Sequence, residues 1–194
     1  MPLVDMKNML LHAYDNGYAV GAFDLVSLDF LEGIMAASER VCAPVILSLA
    51  ESHFAYFDIE LMMPAVEAAA KRSSVPVAIH LDHSASLDSA VRAINLGCNG
   101  VMVDASHKPL QENFAISRDV VKMALGCGVS VEGELGYVPG VEGGDAERHP
   151  GEVAYTTPAE VKSYVEKPGW IFSTSPSVQY MGVCRASPSW IISA

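Results

Sequence analysis

Apolar residues in the first two-thirds of the chain follow two alternating rhythms. Five short stretches are apolar without a break of period: Ala19-Val20-Gly21-Ala22-Phe23, Val45-Ile46-Leu47-Ser48, Val75-Pro76-Val77-Ala78-Ile79, Gly100-Val101-Met102-Val103 and Val129-Ser130-Val131. Such runs suit strands covered on both faces, as in a parallel sheet. Between them apolar side chains recur at helical spacing, as with Leu28, Leu31, Ile34 and Met35, which predicts helices over 4–16, 28–40, 60–71, 86–96 and 110–125. Gly17 ends the first helix, and Thr156 or Thr157 caps a last one over 157–166, with Pro158 in its first turn. A strand followed by a helix, repeated, predicts parallel β/α units with right-handed crossovers.

That alternation fits an open doubly wound sheet or a (β/α)8 barrel, and the polar residues at the strand ends choose between them. Asp24, Ser48, Asp82 with His83, Asp104 with Ser106, and Glu132 with Glu134 fall at the carboxyl ends of successive strands. A barrel gathers those ends into one mouth, whereas an open sheet spreads them along an edge. No Gly-x-Gly-x-x-Gly follows the first strand, which weakens a dinucleotide-binding reading. The expected class is therefore α/β, a TIM barrel represented by about its first five β/α units.

The densest chemistry is His80-Leu81-Asp82-His83, read as closing the third strand and leading into the polar start of a helix. Two imidazoles and a carboxylate there suit catalysis, or equally a helix N-terminus whose free amides Asp82 and His83 satisfy. Glu132 and Glu134, two residues apart on a strand, point to one face. Enclosed carboxylates repel unless a proton or a cation lies beside them. With Asp82, Asp104 and His83 they form either a divalent cation site compatible with zinc or a carboxylate network tied to amides and lysines. A long loop from Gly136 to about Tyr155 follows, with Glu142 flanked by Gly140 and Gly143-Gly144. It reads as a mobile lid carrying a proton-transfer group, or as a solvated acidic loop.

Composition narrows the partners. The 194 residues are 51% hydrophobic with a mean hydropathy of +0.26, yet no apolar run reaches membrane-spanning length and no targeting segment opens the chain. A formal charge of −11, with 12 Lys and Arg, argues against nucleic acid or an anionic membrane as a partner. Cys42, Cys98, Cys127 and Cys184 lack paired ligand spacing and read as reduced, mostly buried thiols of a cytoplasmic protein.

The series Gly21-Ala22-Phe23, Pro44-Val45-Ile46-Leu47, His80-Leu81-Asp82-His83, Val103-Asp104-Ala105-Ser106, Val131-Glu132-Gly133-Glu134-Leu135-Gly136 and Gly140-Val141-Glu142 resembles the class II, zinc-dependent ketose-bisphosphate aldolases over about residues 1–167. The resemblance implies reversible aldol cleavage of a phosphorylated sugar, fructose 1,6-bisphosphate or its tagatose isomer, to dihydroxyacetone phosphate and glyceraldehyde 3-phosphate. It makes His83 a ligand of the catalytic zinc and Asp82 the proton donor to the aldehyde oxygen. Asp104 and Glu134 would hold a second divalent or monovalent cation, and Glu142 would exchange the proton on the carbon beside the ketone. Position 24 departs from the pattern, with Asp24 where the family usually has Asn. Intact members of the family are commonly homo-oligomers.

From Pro168 the chain turns rich in Ser and Pro and loses any strand or helix period, so an irregular tail is expected over 168–194. Joining the last base of each codon to the first two of the next restores the family pattern. Trp170-Ile171 and Trp190-Ile191 are then forced to Asp, Met181-Gly182 to Gly, and Tyr180-Met181 to His or Tyr. The tail thus reads as an out-of-frame translation beginning near Lys167. A chain ending so would lack the further zinc histidines and the phosphate-binding loops, which implies an inactive, poorly soluble product.

Overall fold

The structure, a computed structural model, describes residues 2–135, 157–159, 162, 172–174 and 191–193. An opening helix α1 (Met6–Asp15) precedes β1 (Gly21–Asp24), α2 (Leu28–Val41), β2 (Val45–Ala50), α3 (Ile59–Arg72), β3 (Val77–Ser84), α4 (Leu87–Asn95), β4 (Gly100–Val103), α5 (Leu110–Gly126) and β5 (Ser130–Gly133). The five strands form one parallel sheet in the order β1-β2-β3-β4-β5, so each strand lies beside the next in sequence. Five consecutive units of a β/α barrel are therefore present, as the apolar rhythm predicts.

Helix starts follow local chemistry. Asp5, Ser27, Asp58 and Ser86 cap α1, α2, α3 and α4, each accepting a backbone N–H from the first turn. The larger apolar cluster joins the outward faces of β2 to β5 to α2 through α5, and includes Leu47, Val66, Ile79, Leu81, Val101, Val121 and Val131. A second cluster of Met6, Met9, Ile46 and Ala78 closes the amino-terminal end of the sheet under α1. Gly100 is needed for that closure: a Cβ there would come within 2.6 Å of Met6 Sδ and 3.1 Å of the His80 ring.

Asn99 fastens the same floor. Its Oδ1 accepts the Ile79 amide at 2.9 Å and its Nδ2 donates to the Val4 carbonyl at 2.6 Å. The leading segment thereby joins β3, and the amide of Val4 donates to Val77 O at 2.9 Å.

Several boundaries differ from the expected ones. The third strand runs on through His80, Asp82 and His83 to Ser84, so the tetrapeptide belongs to the strand instead of leading directly into the helix. A short 3-10 helix (Glu51–Ala55) follows β2, where no periodic signal stands. Cys42 and Cys127 are exposed, and only Cys98 of the three described cysteines is buried. The exposed pair are the C-caps of α2 and α5, surface positions by construction. Of the expected helix over 157–166, residues 158, 159 and 162 are described and helical. The tail contains β6 (Phe172–Thr174) and β7 (Ile191–Ser193), paired in parallel. These three-residue, β-prone stretches are too short to display a period.

Candidate metal centre

Up to Leu81, β3 alternates regularly. Ile79 and Leu81 face the helices, and Ala78 faces the floor under α1. Beyond that the register breaks: Leu81 pairs with Val101 but Ser84 pairs with Val103, leaving Asp82 and His83 together opposite Met102. This is a β-bulge, which re-aims side chains at a strand end. His83 carries it with φ 47°, in the left-handed region that non-glycine residues seldom occupy. Ser84 closes the bulge against β4 by donating from Oγ to the Met102 carbonyl and accepting the Asp104 amide at 2.9 Å. Without the extra residue His83 would continue the alternation of Leu81 toward the helices.

The re-aimed imidazole meets two carboxylates. His83 Nδ1 lies 3.0 Å from Asp104 Oδ2 and 3.9 Å from Glu134 Oε2. Asp104 is itself pinned, its Oδ1 accepting the Ser106 amide at 3.0 Å and the Ser106 hydroxyl at 2.7 Å. Glu134 is anchored by its backbone: Asn113 Nδ2 donates to its carbonyl at 2.8 Å, and the Ser117 hydroxyl donates to Asn113 Oδ1 at 3.0 Å.

The charge states follow from burial and neighbours. Burial opposes the charged form of His83, but the Asp104 hydrogen bond and the charges of Asp82 and Glu134 prevail and raise it to about 9. Burial pushes Asp104 up, yet the hydrogen bonds from His83 and Ser106 hold it down at about 2. Glu134 is pushed up to about 8 by burial and then by Asp104. Glu132 is likewise pushed up to about 8 by burial and then by Asp82. His80, deeper in the sheet, lies 3.4 Å from Glu132 Oε2 through Nε2. The distance is that of an ion pair, but burial lowers the His80 pKa, so both groups favour their neutral forms at pH 7. His80 Nε2 also lacks a properly directed hydrogen bond among the described residues.

One nitrogen and two carboxylate oxygens, from His83, Asp104 and Glu134, lie within 4.8 Å of one another. A borderline nitrogen with hard oxygens, on β3 and just beyond β4 and β5, suits zinc or another divalent cation, and two carboxylates gathered at one imidazole form a set that a cation would bridge. The donor set therefore fits a metal. Asp82 is half-buried, and its charge acts on His80, His83, Glu132 and Glu134. Asp24 ends β1, exposed, within electrostatic reach of His80. Glu142 lies outside the described residues. Sequence reading missed Ser84, Asn113 and Glu51, the last of which accepts from Ala85 N at 2.7 Å and Ser89 Oγ at 2.5 Å. All three act through backbone amides or carbonyls, which no side-chain motif reports.

Among the described residues no helix is long and apolar enough to cross a membrane. Residues 4–178 match the family described as fructose-bisphosphate aldolase class-II. The chain is 44% identical over 172 residues to a fructose-bisphosphate aldolase of Staphylococcus epidermidis, covering 87% of this chain and 59% of that protein. A probable fructose-bisphosphate aldolase of Bacillus subtilis matches to the same extent. The YdjI aldolase from Escherichia coli superimposes with a TM-score of 0.80 at 26% identity, over 89% of this chain and 61% of that one. A putative fructose-1,6-bisphosphate aldolase from Coccidioides immitis gives 0.79 at 24% identity, over 96% and 65%, and supports the fold. The chain thus spans about 59% of the length of the curated relatives it matches. With the family pattern matched from residue 4 to residue 178 on a sheet of the same architecture, the chain belongs to the class-II fructose-bisphosphate aldolase family.

Proposed function

We propose that these five units carry the metal-binding part of a class II aldolase site, acting on a ketose 1,6-bisphosphate, with fructose 1,6-bisphosphate favoured over its tagatose isomer by the names of the relatives. The observation that carries the reading is the His83, Asp104 and Glu134 group on the ends of β3, β4 and β5. These residues would hold zinc, alone or with a second cation. When bound, a divalent cation supplies Lewis acidity for the negative charge that develops at the ketone oxygen as the carbon–carbon bond breaks. Asp82 takes the proton from the hydroxyl that becomes the aldehyde and returns it in the condensation direction. Glu142 exchanges the proton on the carbon next to the ketone. Products are dihydroxyacetone phosphate and glyceraldehyde 3-phosphate, in a cytoplasmic setting and in a homo-oligomer of the intact protein.

For the 194-residue chain we propose a second, narrower reading: metal binding without turnover. It is supported by the codon pattern from Pro168 onward, which gives family residues in the shifted frame; the match to the family in the frame as given runs to residue 178. Zinc titration tests the first reading: 1:1 binding at micromolar affinity or tighter, lost in His83→Ala, is expected, and no binding refutes it. Sequencing the DNA around codon 167 and assaying the frame-restored product tests the second. That product should cleave a ketose bisphosphate in an EDTA-sensitive way, and Asp82→Ala should lower its turnover by about two to four orders of magnitude with zinc still bound. Robust activity of the 194-residue chain refutes the narrower reading.

A further inference from the structure

We propose that Glu51 is a positioning residue for His83, holding the backbone just after the bulge so that the imidazole stays turned toward Asp104 and Glu134. The proposal rests on reading those three side chains as metal donors.

β2 pairs with β3 so that Ala50 stands opposite Asp82, and Glu51, the next residue, opens the 3-10 helix that follows β2. Its carboxylate spans the start of α4: Oε2 accepts the Ala85 amide at 2.7 Å and Oε1 accepts the Ser89 hydroxyl at 2.5 Å. Ser86 is the N-cap of α4, and its Oγ accepts the Ser89 amide at 3.2 Å. In a capping box the third helical residue is Glu or Gln and reaches back to the start of its own helix. Here that residue is Ser89, whose hydroxyl meets the Ser86 hydroxyl at 3.0 Å and donates to Glu51, so the carboxylate at the helix start comes from the neighbouring β/α unit. Its negative charge also sits at the favourable end of the helix dipole.

The replacement differs from a local box in one respect. Glu51 grips Ala85, outside the helix and two residues after His83. The bulge is then held on both sides, by Ser84 against Met102 and Asp104 and by Glu51 against Ala85. A left-handed residue persists only where its surroundings over-determine it, and these two clamps are the surroundings.

Glu51→Ala should shift the His83 and Asp104 backbone resonances of the metal-free protein and speed exchange of the Ala85 amide. It should also weaken Co2+ binding about 10–100-fold, the usual effect of removing a group that orients a ligand. Adding Ser89→Glu to Glu51→Ala builds the missing local box, so the melting temperature should recover while the His83 resonances and Co2+ affinity do not. Glu51→Gln, with one oxygen for Ala85 and an amide for the Ser89 oxygen, should behave as the parent. If Glu51→Ala alone does not fold, Glu51→Gln against the double variant carries the comparison. Recovery of Co2+ affinity and His83 resonances together with stability in the double variant would reduce Glu51 to a helix cap and overturn the proposal, as would unchanged resonances and affinity on its removal. If the parent chain binds no Co2+, the metal reading fails, and the metal-free resonances still decide the role of Glu51.

Discussion

Asn99→Ala offers the sharpest test of how the floor of the sheet is held. The substitution removes two side-chain hydrogen bonds, from the Ile79 amide at 2.9 Å and to the Val4 carbonyl at 2.6 Å. Ile79 is fully buried, so its amide is left without a partner, a loss of about 1–3 kcal/mol; the Val4 bond adds roughly 0.5–1.5 kcal/mol. The sum is about 2–4 kcal/mol. With a urea dependence of roughly 2 kcal/mol per molar for a domain of this size, the midpoint of urea unfolding should fall by about 1–2 M with an unchanged slope. Far-UV circular dichroism measures the midpoint, and hydrogen exchange at the Ile79 amide reports the bond itself. Asn95→Ala, at the exposed end of α4, is the control and should stay within about 0.5 kcal/mol. Asn99→Asp should not rescue, because it sets a carboxylate oxygen against the Val4 carbonyl. A shift in Asn99→Ala as small as that of the control would refute the reasoning.

The candidate metal centre predicts a pH dependence. His83 at about 9 and Glu134 at about 8 both carry protons at pH 7, and a cation must displace them, so zinc affinity should rise with pH until about 9 and level off above. Calorimetry in buffers of different ionisation enthalpy should detect the released protons, and equal heats in all buffers would contradict the assignment. Because His83 has φ 47°, His83→Gly should unfold about 1 kcal/mol later than His83→Ala, although both lose the metal; equal stabilities would show that the left-handed turn stores no strain. The Cys98 thiol, pushed up to about 12 by burial, should resist iodoacetamide at pH 8 until the chain unfolds, while exposed Cys42 is alkylated readily. Mass-spectrometric mapping distinguishes the two.

The sheet and its helices were legible because burial on both faces leaves an unbroken apolar run, and one-sided burial leaves a helical repeat. His83, Asp104 and Glu134 were legible as polar breaks at the ends of those runs. The bulge was not. Its cause is a register shift between two strands, a relation between distant residues that His80-Leu81-Asp82-His83 does not encode locally, so the tetrapeptide alone reads as a strand end where the strand only kinks. Glu51 escaped for the same reason, since its partners Ala85 and Ser89 lie in the following unit. His80 shares the motif with His83, yet depth separates them: one is buried against Glu132 and the other faces Asp104 and Glu134.

The sequential strand order bears on how the site comes into being during synthesis. Each β/α unit can dock on its predecessor as it leaves the ribosome, without waiting for a distant segment, which limits each loop closure to a single crossover. The donors His83, Asp104 and Glu134 sit on or just beyond three successive strands, so the nascent chain acquires them one unit at a time. Ser84 and Glu51 are in place before Asp104 and Glu134 emerge. The turn at His83 nevertheless waits for β4, because Ser84 is held by Met102 and Asp104, so the bulge and its first carboxylate form together and the candidate donor group is complete once Glu134 follows β5.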